Sequence, residues 1–238
     1  MPSLKELKIK IYADGADKDS MLALYKNEFV KGFTTNPSLM AKAGVKDYPA
    51  FAQEIAKAMP DRPISFEVFT DDVADMERQA GIIKTWGKNV YVKIPITNTK
   101  GESCLPLVKK LTHDGVQLNV TALMTTEQVD GVVNALTGGA ASIVSVFAGR
   151  IADSGRDPIP LMKKCAELCK KEPKAELLWA STRELHNIFE ADACGCKIIT
   201  VPHDIFKKFP GVGQDLNALS LDTVKQFYAD ATKAGFKL

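Results

Sequence analysis

The chain has 238 residues, 45% of them apolar and 25% charged, with a formal net charge of +2 at pH 7. So balanced a charge argues against a surface built for nucleic acid or another polyanion, and no apolar run approaches the ~20 residues that cross a bilayer. Small, soluble partners are expected instead, and the start, MPSLKELKIKIYAD, which lacks an apolar leader core and a small-residue cleavage site, points to the cytoplasm.

In chain order, apolar strand-like runs recur at 8–14, 30–35, 64–69, 89–96, 116–123, 142–148, 176–181 and 197–202. Between them, residues 19–28, 48–59, 72–86, 125–136, 160–171 and 183–193 carry good helix formers at helical spacing. Alternation of this kind predicts a parallel sheet with crossover helices. Eight units without a break in composition, in a chain of ordinary length for the architecture, predict one domain: a closed (β/α)8 TIM barrel over about 8–208. No G-x-G-x-x-G follows a strand, which weighs against an open dinucleotide-binding sheet. Residues 209–238 form an extension, extended and rich in glycine and polar residues over 209–217, then helical over 221–234. Leu221, Val224, Phe227, Tyr228 and Ala231 make up the apolar face of that terminal helix.

The five cysteines, Cys104, Cys165, Cys169, Cys194 and Cys196, are an odd number in a chain large enough not to need disulfides, so reduced thiols are expected. A thiolate metal site is disfavoured because their spacings do not match the common zinc patterns.

Side chains alternate between the two faces of a strand. In Val90-Tyr91-Val92-Lys93-Ile94 the aliphatic residues face the helices and Lys93 points into the barrel. Lysine is almost never fully buried without a partner, so one at the centre of an apolar strand signals chemistry. The same parity turns Tyr12 and Asp14, Ser65 and Glu67, Gln117, Asn119 and Thr121, and Ser145 inward. Asp14, Asn36, Glu67, Lys93, Thr121, Ser145 and Ser181 come from seven strands, each at or near its C-terminal end, the rim where active sites of this fold sit.

A lysine in a low-dielectric barrel has its ammonium form disfavoured, and the neutral amine attacks a carbonyl. The protonated imine that follows is an electron sink that lets a neighbouring C–C bond break. Asp14 and Glu67 can divide the proton work, one as base on a substrate hydroxyl and one positioning a water with Thr121. Asn36, Asn119 and Ser145 suit the hydroxyls of a polyol. Arg150 and Arg183 follow the sixth and seventh strands, where barrels often bind phosphate, with Ser181 and the start of a helix near Arg183 as further donors. None of this requires a metal or a cofactor.

The segments GFTTNPSLMAKAG (32–44), VYVKIPIT (90–97), NVTALMTTEQ (119–128), SIVSVFAGRIAD (142–153), LLWASTREL (177–185) and IITVPHDIFKK (198–208) resemble the transaldolase family, specifically its short members related to fructose-6-phosphate aldolase. The resemblance covers nearly all of 9–208. It implies that Lys93 is the Schiff-base lysine, Asp14 the acid/base aspartate, and Glu67 and Thr121 the pair that holds the reacting water. It implies substrate contacts for Thr35, Asn36, Asn119, Ser145 and Phe147, and phosphate contacts for Arg150, Ser181 and Arg183. Glutamate at 67 and phenylalanine at 147, where aldolase members have glutamine and tyrosine, imply a transaldolase. Such an enzyme moves a dihydroxyacetone unit from sedoheptulose 7-phosphate or fructose 6-phosphate to an aldose phosphate, in the non-oxidative pentose phosphate pathway. The alternatives are aldol cleavage of such a ketose, or a barrel that binds sugar phosphates without turnover. A homo-oligomer, pentamer or decamer, is implied as well.

Three features depart from the family pattern: Gly15 where threonine is usual, Val146 in place of proline, and His203 in place of an aliphatic or phenylalanine side chain. The loop 98–103 after the lysine strand is expected to shape the mouth. His203 is expected to be a rim residue satisfied by neighbouring backbone, with contact to the substrate's phosphate as the other reading. His113 and His186 fall in helical segments and are given no role.

Overall fold

Eight strands alternate with helices and close on themselves, as the repeat of apolar runs predicts. The computed structural model describes residues 3–237. The strands are β1 (Lys10–Asp14), β2 (Val30–Thr34), β3 (Ile64–Glu67), β4 (Val90–Pro95), β5 (Leu118–Leu123), β6 (Ser142–Val146), β7 (Ala175–Trp179) and β8 (Ile198–Pro202). Each pairs in parallel with the next and β8 pairs with β1, so the sheet is a closed (β/α)8 barrel. The helices are α1 (Lys18–Tyr25), α2 (Pro37–Lys42), α3 (Tyr48–Ala58), α4 (Val73–Ile83), α5 (Leu105–His113), α6 (Thr126–Leu136), α7 (Ala148–Asp153), α8 (Ile159–Cys169), α9 (Asn187–Ala193), α10 (His203–Phe206) and α11 (Leu216–Ala234).

Strand alternation divides the core into two layers. Ile11 and Ala13, Ile64 and Phe66, Val92 and Ile94, Leu118 and Val120, and Val144 and Val146 are buried between barrel and helices. Inside the barrel Tyr12, Ile143, Leu178 and Ile198 pack together, with Tyr91 and Phe147 against them. Tyr12 needs room to lie there. Its register neighbour on β2 is Gly32, where a Cβ would come within 2.5 Å of the phenol ring. Burial pushes the Tyr12 hydroxyl above its ordinary range, so the ring remains a neutral plug beneath the polar rim.

Helix starts follow local capping where the sequence supplies it. Thr125 and Gln128 form a reciprocal capping box at α6. Three expectations need correction. The segment 183–193 is helical only from Asn187, because the Asn187 side chain accepts from the backbone of Arg183 and Glu184 and folds 181–186 into a loop. The segment 209–217 is not extended: it holds a 3-10 turn at Phe209–Gly211, and α11 starts at Leu216 because Asp215 caps it by accepting from Asn217 and Ala218. The third strand stops at Glu67, leaving Phe69 62% exposed. The helices α2, α5 and α7 lie outside the predicted helical segments; α2 and α7, at six residues each, are too short for a helical period to stand out in the sequence.

All five cysteines are free and buried, and burial raises the Cys165 and Cys169 thiols to about 12, which keeps them protonated. Among the described residues no three His, Cys, Asp or Glu side chains gather as a metal site would require, and no helix is long and apolar enough to cross a membrane. α11 has no buried residue. Its apolar face is uncovered, with Phe227 67% and Tyr228 76% exposed.

Candidate functional site

The C-terminal rim encloses a cavity of about 140 Å³ lined by polar side chains from seven strands or the loops after them: Asp14, Thr34 and Asn36, Lys93, Asn119 and Thr121, Ser145, Ser181, and Thr200. Phe147 and Arg150 close the side above β6. A larger concavity, about 750 Å³, lies beside Phe29 and Phe209 on the outer surface, and none of the strand-end residues lines it.

Lys93 is the hub. Its residue is 8% exposed, and Nζ lies 3.1 Å from Oε2 of Glu67 and donates to the carbonyl of Thr35 at 3.3 Å. Sheet register sets this contact, since Glu67, Lys93 and Asn119 are aligned neighbours on β3, β4 and β5. Asn119 is committed on both sides: Nδ2 donates to Oγ of Ser65 at 2.9 Å, and Oδ1 accepts from Oγ of Ser145 at 2.7 Å. A buried chain with each member satisfied holds its groups rigidly.

On the opposite wall Asp14 accepts from Oγ1 of Thr34 at 2.7 Å, and the Thr34 hydroxyl in turn contacts that of Thr200. Burial raises the Asp14 carboxyl above its usual range; Lys93, the Thr34 hydrogen bond and His203 pull it back. A carboxyl so balanced can both take and return a proton. The Thr121 hydroxyl is buried with no hydrogen-bond partner among the described residues. It stands at a break in the β5–β6 register, where Ala122 adopts φ 65°. Bulges of this kind re-aim side chains, and non-glycine residues at positive φ cluster at functional sites. Ser181, at φ 66°, is the second non-glycine residue there.

Of the residues chosen from sequence, Thr35, Glu67 and Arg183 do not line the cavity. Thr35 is fully buried, its hydroxyl spent on the carbonyl of Ser65, and it touches the site through its own carbonyl to Lys93. Glu67 reaches the site through Lys93. Arg183 is exposed and forked onto Asp153, with Nε 3.0 Å from both carboxylate oxygens. The helix expected to begin near Arg183 starts only at Asn187, and the Arg183 side chain lies instead against the first turn of α7, where a Cβ on Gly149 would come within 3.3 Å of its Cγ. Arg150 lines the cavity, its guanidinium 5.4 Å from the centre of the Phe147 ring. Asn36 lines it too while capping α2, Oδ1 accepting from Leu39 at 2.9 Å ahead of Pro37.

The loop 98–103 does not line the cavity. It is tied back to the β3–α4 connection, with Thr99 donating to Asp71 through its amide at 2.6 Å and its hydroxyl at 2.7 Å. His203 also differs from expectation: among the described residues no backbone group satisfies it, and Nε2 is buried without a partner, the ring filling the space above Gly15. Thr34 and Thr200 were missed. Both share inward parity with Asp14 and Tyr12, a signal hidden because threonine reads equally well as an ordinary strand residue.

The family model described as Transaldolase/Fructose-6-phosphate aldolase matches residues 11–238. A probable transaldolase of Dehalococcoides mccartyi is 34% identical over 198 residues, covering 83% of this chain and 88% of that one. A probable transaldolase of Roseiflexus castenholzii is 36% identical over 201 residues, covering 84% and 88%. One from Sphingopyxis alaskensis is 33% identical over 228 residues, covering 95% and 99%.

Proposed function

Because the chain belongs to the transaldolase/fructose-6-phosphate aldolase family, a family of transferases and aldolases, we propose that it transfers a dihydroxyacetone unit from a ketose phosphate to an aldose phosphate through an imine on Lys93. The observation that carries this reading is a buried lysine amine held between Glu67 and the Thr35 carbonyl at the head of a polar cavity that Asp14 also lines.

In this scheme Lys93 must first give up a proton, and Glu67, 3.1 Å away, is the acceptor at hand. Nζ then attacks the C2 carbonyl of the ketose, and water leaves as the imine forms. Asp14 takes the proton of the C4 hydroxyl, the C3–C4 bond breaks, and its electrons pass into the imine to give an enamine and a free aldose. Addition of the enamine to the acceptor aldehyde reverses these steps, with Asp14 returning the proton. Glu67 and the unpartnered Thr121 hydroxyl position the water that releases the product. Asn119, Ser145 and Asn36 receive the donor's hydroxyls, and Phe147 walls them in. Arg150 and Ser181 bind the phosphate, joined by Arg183 if it leaves Asp153.

Fructose 6-phosphate and sedoheptulose 7-phosphate are the donors that suit this chemistry, and the non-oxidative pentose phosphate pathway is where such an exchange belongs. The enzyme works in the cytoplasm as a homo-oligomer in which the uncovered face of α11 packs on a second copy. Incubation with fructose 6-phosphate and erythrose 4-phosphate tests the reading: sedoheptulose 7-phosphate is the expected product. Free dihydroxyacetone at equal rate with and without the acceptor would assign aldol cleavage instead.

A further inference from the structure

Gly15 follows Asp14 at the end of β1, and His203 opens α10 directly after β8, the strand beside β1. A Cβ on Gly15 would lie 2.7 Å from Nε2 of His203 and 3.0 Å from Cε1, inside contact distance. The imidazole therefore occupies the space a larger residue at 15 would need. Two departures that are 188 positions apart in sequence meet beside the candidate proton carrier.

Space filling alone does not account for the choice of residue. Nε2 is buried and makes no hydrogen bond among the described residues, a cost an aliphatic side chain would not carry. What the ring adds is a group near Asp14 that can take up a proton. Facing it are Asp14 from β1, Asp17 from the loop after β1, and Asp204 and Lys207 from its own segment. Facing Asp14 are Lys93 from β4, Thr34 from β2 and His203. Burial holds the imidazole below its ordinary range while Asp17 and Asp14 draw it back up, and His203 in turn favours the ionised form of Asp14.

We propose that His203 is a positioning residue for Asp14: packed on the Cα of Gly15, it presents a titratable ring to the end of β1, and protonation of that ring favours the carboxylate that accepts the substrate's hydroxyl proton. The inference rests on the reading of Asp14 as the base of the C–C cleavage step.

Two measurements test it. In the first, the His203 ring is titrated by NMR in the native chain and in Asp14→Asn, which needs no turnover. Coupling is reciprocal, so losing the aspartate charge lowers the His203 midpoint by roughly half a pH unit. An unchanged midpoint would overturn the proposal. In the second, the acid limb of kcat/KM is followed in His203→Phe, His203→Gln and Gly15→Ala. Each moves the limb to higher pH by about half a unit, the alanine by pushing the ring away. The Gly15→Ala/His203→Phe double variant moves it no further than either single one. A uniform loss of rate with the limb in place would mean the ring only packs, and shifts that add in the double variant would overturn the packing link by showing that Gly15→Ala acts by a route other than the ring. If the native chain transfers no three-carbon unit, the functional reading fails while the NMR titration still decides the coupling.

Discussion

Nζ of Lys93 lies 3.1 Å from Oε2 of Glu67, its register neighbour on the adjacent strand. Register fixes the two backbones side by side, so the carboxylate stays within reach of the nitrogen through imine formation and release. Glu67→Gln keeps the shape and removes the base. It is expected to slow transfer by about 10²-fold or more, with imine formation and release both slowed, read as a slower approach to the adduct trapped by reduction. Turnover at the native rate would exclude Glu67 from the proton work.

Asp14 trades stability for chemistry. Its carboxyl is raised by burial, so the folded chain holds this proton more tightly than the unfolded one. The native state therefore loses stability as pH rises from the ordinary carboxylate value through the raised one. Asp14→Asn escapes that loss. Its melting temperature is expected to exceed the native one at neutral pH, the gap closing towards pH 4, while transfer falls at least ~10²-fold. A lower melting temperature across the whole range would contradict this account of the burial.

The two arginines should separate. Arg150 lines the cavity and Arg183 is held by Asp153. A charge-assisted hydrogen bond of about 1.5–3 kcal/mol corresponds to a ~10- to 150-fold rise in KM for a phosphorylated donor in Arg150→Ala. Arg183→Ala has a smaller effect, and Asp153→Asn, which frees Arg183, lowers KM. Equal penalties for the two alanine variants would place both guanidiniums on the phosphate.

α11 leaves Phe227 and Tyr228 in solvent. Phe227→Glu with Tyr228→Glu is expected to shift the light-scattering mass towards one chain, with the barrel's circular dichroism retained. An unchanged mass would show that α11 does not hold copies together.

Much of this was legible in the sequence, for physical reasons that differ between elements. The barrel followed from periodicity, and Lys93, Asn119 and Ser145 were found by parity, because a polar residue among aliphatic ones on a strand has few ways to be tolerated. Glu67 and Lys93 meet as parity required, yet only register shows them in contact. Other features were hidden by chemistry that depends on distant partners. Arg183 looked available because Asp153, thirty positions earlier, gives no local sign of capturing it. The start of α9 was obscured by an asparagine folding the preceding loop. The fit of His203 over Gly15 depends on β8 closing against β1, which no local pattern encodes.

The most direct test of the account is borohydride reduction of the chain incubated with fructose 6-phosphate, followed by peptide mass spectrometry. A dihydroxyacetone-sized adduct is expected on Lys93 in the native chain and none in Lys93→Ala with its fold intact. An unmodified Lys93 under turnover, or an adduct that persists in Lys93→Ala, would contradict it.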